Sequence, residues 1–109
     1  MVLLLRKYRT GTIKKIEMNP LVIRLCGSID TVYAQTLEPE LMKELDVEYT
    51  ELILDFTDVT FIASSGLRVL LKLGQKANKH GVVTQLRNLN DVVAEVMKIS
   101  GFDRIFKIL

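Results

Sequence analysis

A chain of 109 residues with 49% apolar and 26% charged positions fits one domain and can supply a single modest core, which excludes a disordered polymer. Fifteen basic residues against 13 acidic ones leave a net charge of +2, too small an excess for the concentrated basic face that nucleic-acid binding requires. One cysteine, Cys26, excludes an internal disulfide framework or a multi-thiolate zinc site, and one histidine, His80, leaves little for a histidine metal centre or catalytic triad.

The chain begins with Met1 to Leu5, then Arg6 and Lys7, apolar first and basic second, the reverse of a secretory signal. Residues 1–10 are read as an N-terminal arm and 11–109 as the domain. No stretch approaches the ~20 apolar residues that cross a bilayer, so no direct membrane insertion is expected and the default compartment is the cytoplasm. Thr12 to Met18 alternates as a strand, with Thr12, Lys14, Ile16 and Met18 on one face. Asn19-Pro20 marks a turn, because the residue before a proline avoids the helical region. Leu21 to Cys26 follows, with Leu21, Ile23 and Leu25 on one face, so an antiparallel hairpin is predicted. Cys26 closes an apolar strand and is expected to be a small buried residue.

Gly27 to Thr31 breaks the alternation. Leu37, Leu41, Met42 and Leu45 then recur at helical spacing, with Pro39 expected in the first turn, where its missing N–H is harmless. The acidic residues Glu38, Glu40, Glu44, Asp46, Glu48 and Glu51 are read as a solvated face. Leu52-Ile53-Leu54, ending in Asp55, is a continuous apolar run that suits a strand covered on both faces. After the segment Asp58 to Ala63, a second helix is predicted from its apolar face (Leu67, Leu70, Leu71, Ala77) and polar face (Arg68, Lys72, Gln75, Lys76, Lys79), with His80-Gly81 as its stop. Val82 to Leu86 reads as a strand. Asn88 is expected to cap a third helix carrying Val92, Val93, Val96 and Met97, and Arg104 to Ile108 is expected to add an edge strand. A hairpin followed by alternating helices and strands predicts a single α/β domain, with one mixed, mostly parallel sheet and helices packed against it.

The segment Asp55 to Leu71 is the one that can carry chemistry. Ser64 and Ser65 fall at the junction of a buried strand and an amphipathic helix, where a serine oxygen can cap an orphan amide. Gly66 in the first turn is expected to leave backbone uncovered for close approach. The same amides and the helix dipole tolerate a negative group, so a modifiable serine is the competing reading of the pair. A hydrolase is disfavoured: G-x-S-x-G is absent, and His80 lies 15 residues beyond Ser65, about 22 Å along a helix. Asp55 and Asp58 have no matching acidic partners for magnesium and are read as structural; His80 is read as a solvated C-terminal residue. No catalytic residue, metal ligand or cofactor site is predicted. A nucleotide-binding domain stays as a distant alternative, lacking a phosphate-loop lysine and magnesium ligands.

Gly27-Ser28-Ile29-Asp30, Leu54-Asp55-Phe56 and Phe61-Ile62-Ala63-Ser64-Ser65-Gly66-Leu67 resemble the STAS domain of bacterial anti-sigma-factor antagonists. The closing segment, Val93, Val96, Met97, Gly101, Phe102, Ile105 and Phe106, is also similar to that family, and the likeness spans residues 11–109. It implies a compact α/β domain with helices to one side of the sheet and no catalysis by the chain itself. It further implies binding to an anti-sigma factor that is also a serine kinase, release on phosphorylation of the serine before Gly-Leu, and resetting by a phosphatase.

By this resemblance the modified residue is Ser65, with Ser64 the less favoured member of the pair. The partner surface comprises Asp30, Thr31, Ala63, Ser64, Ser65 and Gly66, edged by Arg68 and Lys72. Phosphorylated members carry an aspartate before the serine pair, where this chain has Ala63, so a charge beside the acceptor is missing. Other STAS domains are unphosphorylated adaptors in lipid-transport or other multi-protein complexes, and that role is the alternative expectation.

Overall fold

The structure is a computed structural model that describes residues 14–18, 20–44 and 50–109, with side chains described for the latter two segments. Strand β1 (Lys14–Met18) pairs antiparallel with β2 (Leu21–Ile29) across the turn at Pro20, as the hairpin reading expects. Helix α1 (Thr31–Glu44), strand β3 (Glu51–Ile62), helix α2 (Ser64–Lys79), strand β4 (Val83–Arg87) and helix α3 (Asp91–Ile99) follow. A short 3-10 turn at Phe102–Arg104 leads to the two-residue strand β5 (Lys107–Ile108). The sheet order is β1-β2-β3-β4-β5, and β2 to β5 are parallel.

Because the strands are laid down in sequence order, right-handed crossovers carry α1, α2 and α3 to the same side of the sheet. That side holds the core. Leu21, Ile23 and Leu25 of β2, Leu52, Leu54 and Phe56 of β3 and Leu86 of β4 meet Leu37, Leu41, Leu70, Leu73, Val93 and Met97 in one cluster. The single α/β domain with a mixed sheet, and the helices to one side, are as expected.

Several boundaries differ from the sequence reading. Strand β2 continues to Ile29 because Gly27 adopts φ +77° and shifts the register, after which Ile29 returns to the core. Strand β3 runs beyond Phe56 to Ile62, since β2 pairs along that extension too. Pro39 is not in a first turn: Asp30 accepts the Tyr33 amide at 2.9 Å and starts α1 at Thr31, leaving Pro39 mid-helix. The local hydrogen bond lost there is offset by burial of Leu37 and Leu41 on the same helix. Glu44 is buried rather than solvated. Leu45, Asp46, Glu48 and the side-chain alternation over 12–18 lie outside the described residues.

The cap of α3 is Asn90, whose side chain accepts the Val93 amide at 2.8 Å and donates to the carbonyls of Val59 and Thr60. Asn88, the residue expected in that role, instead takes φ +62° and donates to Asp55 and Thr57. Val92 faces solvent while Val93 and Met97 are buried. The final strand is shorter than expected because Phe102 and Phe106 turn into the core around the 3-10 turn. Cys26 is exposed, not buried, and lies between the two register shifts of β2.

Candidate functional site

The ends of β2 and β3 position the site. Ile29 and Ile62 are register partners, and the chain leaves each directly into a helix, α1 at Thr31 and α2 at Ser64. Both isoleucines are buried, and the Ala63 amide donates to the Ile29 carbonyl at 2.9 Å, which ties the two junctions together. Two helix N-termini therefore sit side by side at one edge of the domain. Asp30 caps the first with its carboxylate on the Tyr33 amide. At the second, the cap position is Ala63, extended at φ −88° and ψ 171°, with no side-chain cap.

Neither serine acts as the cap. Ser64 is exposed, and Ser65 is partly buried with its Oγ donating to Thr31 Oγ1 at 3.3 Å. The capping reading of the pair is therefore not what the geometry provides: both serines lie inside the first turn, and Ser65 turns its hydroxyl toward the neighbouring helix start. A free amide end remains next to it, where a negative group gains about 0.3–1 kcal/mol from the helix dipole.

Gly66 does not present open backbone. A Cβ there would stand 2.7 Å from Ile29 Cγ2, 2.8 Å from Ile62 Cγ1 and 3.1 Å from the Ile29 carbonyl. The missing side chain lets α2 close onto the two strand ends, so the close approach that the sequence suggested is made by the chain itself.

Arg68 is exposed one turn further along α2. Lys72, eight residues after Ser64 and about 12 Å along the helix, pairs with Glu38 of α1 at 3.3 Å. That pair clamps α1 to α2 at the surface and is worth little in stability. Asp30, Thr31, Ala63, Ser64, Ser65 and Gly66 are thus brought together, with Arg68 beside them and Lys72 at the margin. Two residues that the sequence reading did not place on the partner surface join the same edge: Val32 is 73% exposed in the first turn of α1, and Phe61 is 44% exposed near the end of β3. Burial depends on what the tertiary fold covers, so the strand and helix patterns carried no signal for either.

The remaining candidates for chemistry resolve into structural roles. His80 is the C-terminal cap residue of α2, at the opposite end of the helix from Ser65. Asp55 is buried and bonded to Thr57, Asn88 and Arg24. Burial pushes its carboxyl up, but the hydrogen bonds from the Thr57 side chain and backbone, Asn88 and Arg24 outweigh that and hold it at about 2. Asp58 is exposed. No group of three or more potential metal ligands occurs among the described residues, and none of the described helices is long and apolar enough to cross a membrane.

The sequence and the fold are similar to those of known proteins. The chain is 33% identical over 97 residues to the Bordetella bronchiseptica protein BtrV, named as an anti-sigma factor antagonist, covering 89% of this chain and 83% of that one. Its fold matches an anti-sigma factor antagonist from Mycobacterium paratuberculosis with a TM-score of 0.79 at 22% identity, covering 89% of this chain and 83% of the other. It also matches the anti-sigma factor antagonist SpoIIAA in its unphosphorylated form, with a TM-score of 0.75 at 21% identity, covering 90% and 86%. The phosphorylated form of SpoIIAA from Bacillus gives 0.69 at 20% identity, covering 90% and 89%. Residues 11–109 match the profile of the STAS domain, and with so much of its length accounted for, the chain belongs to the STAS domain family.

Proposed function

We propose that this chain is an anti-sigma factor antagonist: a protein-binding module that docks an anti-sigma factor, itself a serine kinase, through the edge where α1 and α2 begin. Phosphorylation of Ser65 releases that partner, and a phosphatase restores binding. One observation carries the reading. The Ser65 hydroxyl sits at the molecular edge, bonded to Thr31 and not to the backbone it would cap, so its modification leaves the helix start intact. The names of BtrV and SpoIIAA support the choice of partner, and the existence of SpoIIAA in a phosphorylated form supports the switch.

The switch works by local charge and size. A serine hydroxyl enters an interface at little cost when it is hydrogen-bonded. A phosphate adds roughly −1.5 to −2 charges at pH 7, and burying it without paired cations is unfavourable by several kcal/mol. Every ~1.4 kcal/mol is a tenfold change in affinity, so release needs no refolding. Arg68 is the nearby cation on α2, while Lys72 is engaged by Glu38. Ala63 places no carboxylate directly before the serine pair. Val32 and Phe61 supply apolar anchors of the kind that dominate interface energetics.

The test is a pull-down of the cognate anti-sigma factor with Ser65→Asp and Ser65→Ala. Retention by the alanine variant and loss by the aspartate variant is the expected result. Equal retention of both removes the switch and leaves the unphosphorylated adaptor role.

A further inference from the structure

The sheet face away from the helices carries an unusual row of charge. Register places Arg24 of β2 beside Asp55 of β3, and Asp55 beside Arg87 of β4, so three parallel strands present a cation, an anion and a cation in line. On β1, Lys14 holds the register position next to Arg24.

The acceptors of Asp55 are filled. Its Oδ1 takes the Thr57 amide at 2.9 Å, the Thr57 hydroxyl at 2.6 Å and Asn88 Nδ2 at 3.1 Å, and its Oδ2 takes Arg24 Nε at 3.3 Å and Nη2 at 3.1 Å. Arg87 Nη2 stands 3.8 Å from Oδ2, an ion pair but beyond hydrogen-bonding reach. Its Nε–H is buried without a hydrogen-bond partner among the described residues. Glu51 is held by Gln85 and lies four strand residues, about 13 Å, from the Asp55–Arg87 register position. One carboxylate therefore serves two guanidiniums, whose side chains are 34% (Arg24) and 30% (Arg87) exposed. The row keeps one surplus positive charge, and Arg87 keeps donors that no acceptor among the described residues engages.

We propose that Arg87, with Arg24, forms a second binding site, selective for an oxyanion of the carboxylate or phosphate type, on the face of the sheet away from α1, α2 and α3. The planar guanidinium fork matches two oxygens of either group, which an ammonium does not. Asp55 fixes Arg24 and cannot turn to Arg87 without abandoning Thr57 and Asn88, so the surplus is built in. About seven strand residues, roughly 23 Å of extended chain, separate Asp55 from Ile62. The site is thus distinct from the serine edge and does not depend on its function.

The experiment uses the full chain labelled with nitrogen-15, titrated separately with sodium phosphate and sodium acetate, with sodium chloride at equal ionic strength as reference. Saturable shifts at the Arg87 and Arg24 side chains and the Asn88 amide are expected. In Arg87→Gln the affinity falls at least tenfold. Arg87→Lys keeps the charge without the fork and binds more weakly than the parent; it also carries the test if the glutamine variant fails to fold. Saturation by both salts supports a site that accepts carboxylates, and saturation by phosphate alone narrows the ligand to phosphate groups. Shifts that only follow chloride, or that saturate unchanged in Arg87→Gln, overturn the proposal.

Discussion

Replacing Asp55 by asparagine tests how the centre of the sheet is held. The carboxylate is 1% exposed, joins β2, β3 and the β4–α3 turn, and titrates at about 2 against an ordinary value of 3.8. Its folded-state pKa is depressed, so its contribution is fully present above about pH 4 and disappears as the pH falls toward 2. At ~1.36 kcal/mol per tenfold change in proton affinity, ionised Asp55 adds about 2 kcal/mol to stability at neutral pH. The Asp55→Asn variant would keep a single acceptor oxygen and place an NH2 against Arg24 or Thr57, and it would leave both guanidiniums without a counter-ion. Loss of about 2–4 kcal/mol at pH 7 is therefore expected. Urea denaturation at pH 7, 4 and 2.5 measures this directly. The parent loses about 1.4 kcal/mol between the last two conditions through this group, and Asp55→Asn loses correspondingly less. A variant with the acid sensitivity of the parent would refute the assignment.

Gly66→Ala should lower stability by about 1–2 kcal/mol in chemical denaturation, because overpacking against Ile29 and Ile62 exceeds the ~1 kcal/mol that alanine gains in a helix; a neutral result would mean that α2 can move off the strand ends freely. Asn90→Ala removes the α3 cap and both bonds to the Val59 and Thr60 carbonyls, so a loss of about 1–2 kcal/mol is expected in the same assay, whereas Asn90→Asp should restore the cap alone. Val32→Asp and Phe61→Ala should each weaken anti-sigma factor binding about tenfold or more in calorimetry while the melting temperature stays within a few degrees. Unchanged affinity in both would move the docking surface elsewhere.

Much of the fold was legible because its signals are local. The alternation of Leu21, Ile23 and Leu25 and the apolar stripe of α2 name their own elements and faces. What escaped reading depended on distant partners. Gly27 looks like a strand terminator until β3 is present to receive a shifted register, and the polar stretch Thr57 to Phe61 does not read as a strand without β2 beside it. Thr31, Val32 and Tyr33 are poor helix starters whose conformation follows from the Asp30 cap. Asn88 and Asn90 are equivalent cap candidates two residues apart, and only the reach to Asp55 on one side and Val59 on the other separates them. At the site, the strand-to-helix junction located both serines. Their failure to cap, the burial of Gly66 and the exposure of Cys26, Val32 and Phe61 are tertiary outcomes.

The most direct measurement is the dissociation constant of the cognate anti-sigma factor for the chain bearing phosphoserine at position 65, set against the unmodified chain. Phosphorylation is expected to weaken binding at least tenfold with the fold intact by circular dichroism. Equal constants for the two forms would contradict this expectation.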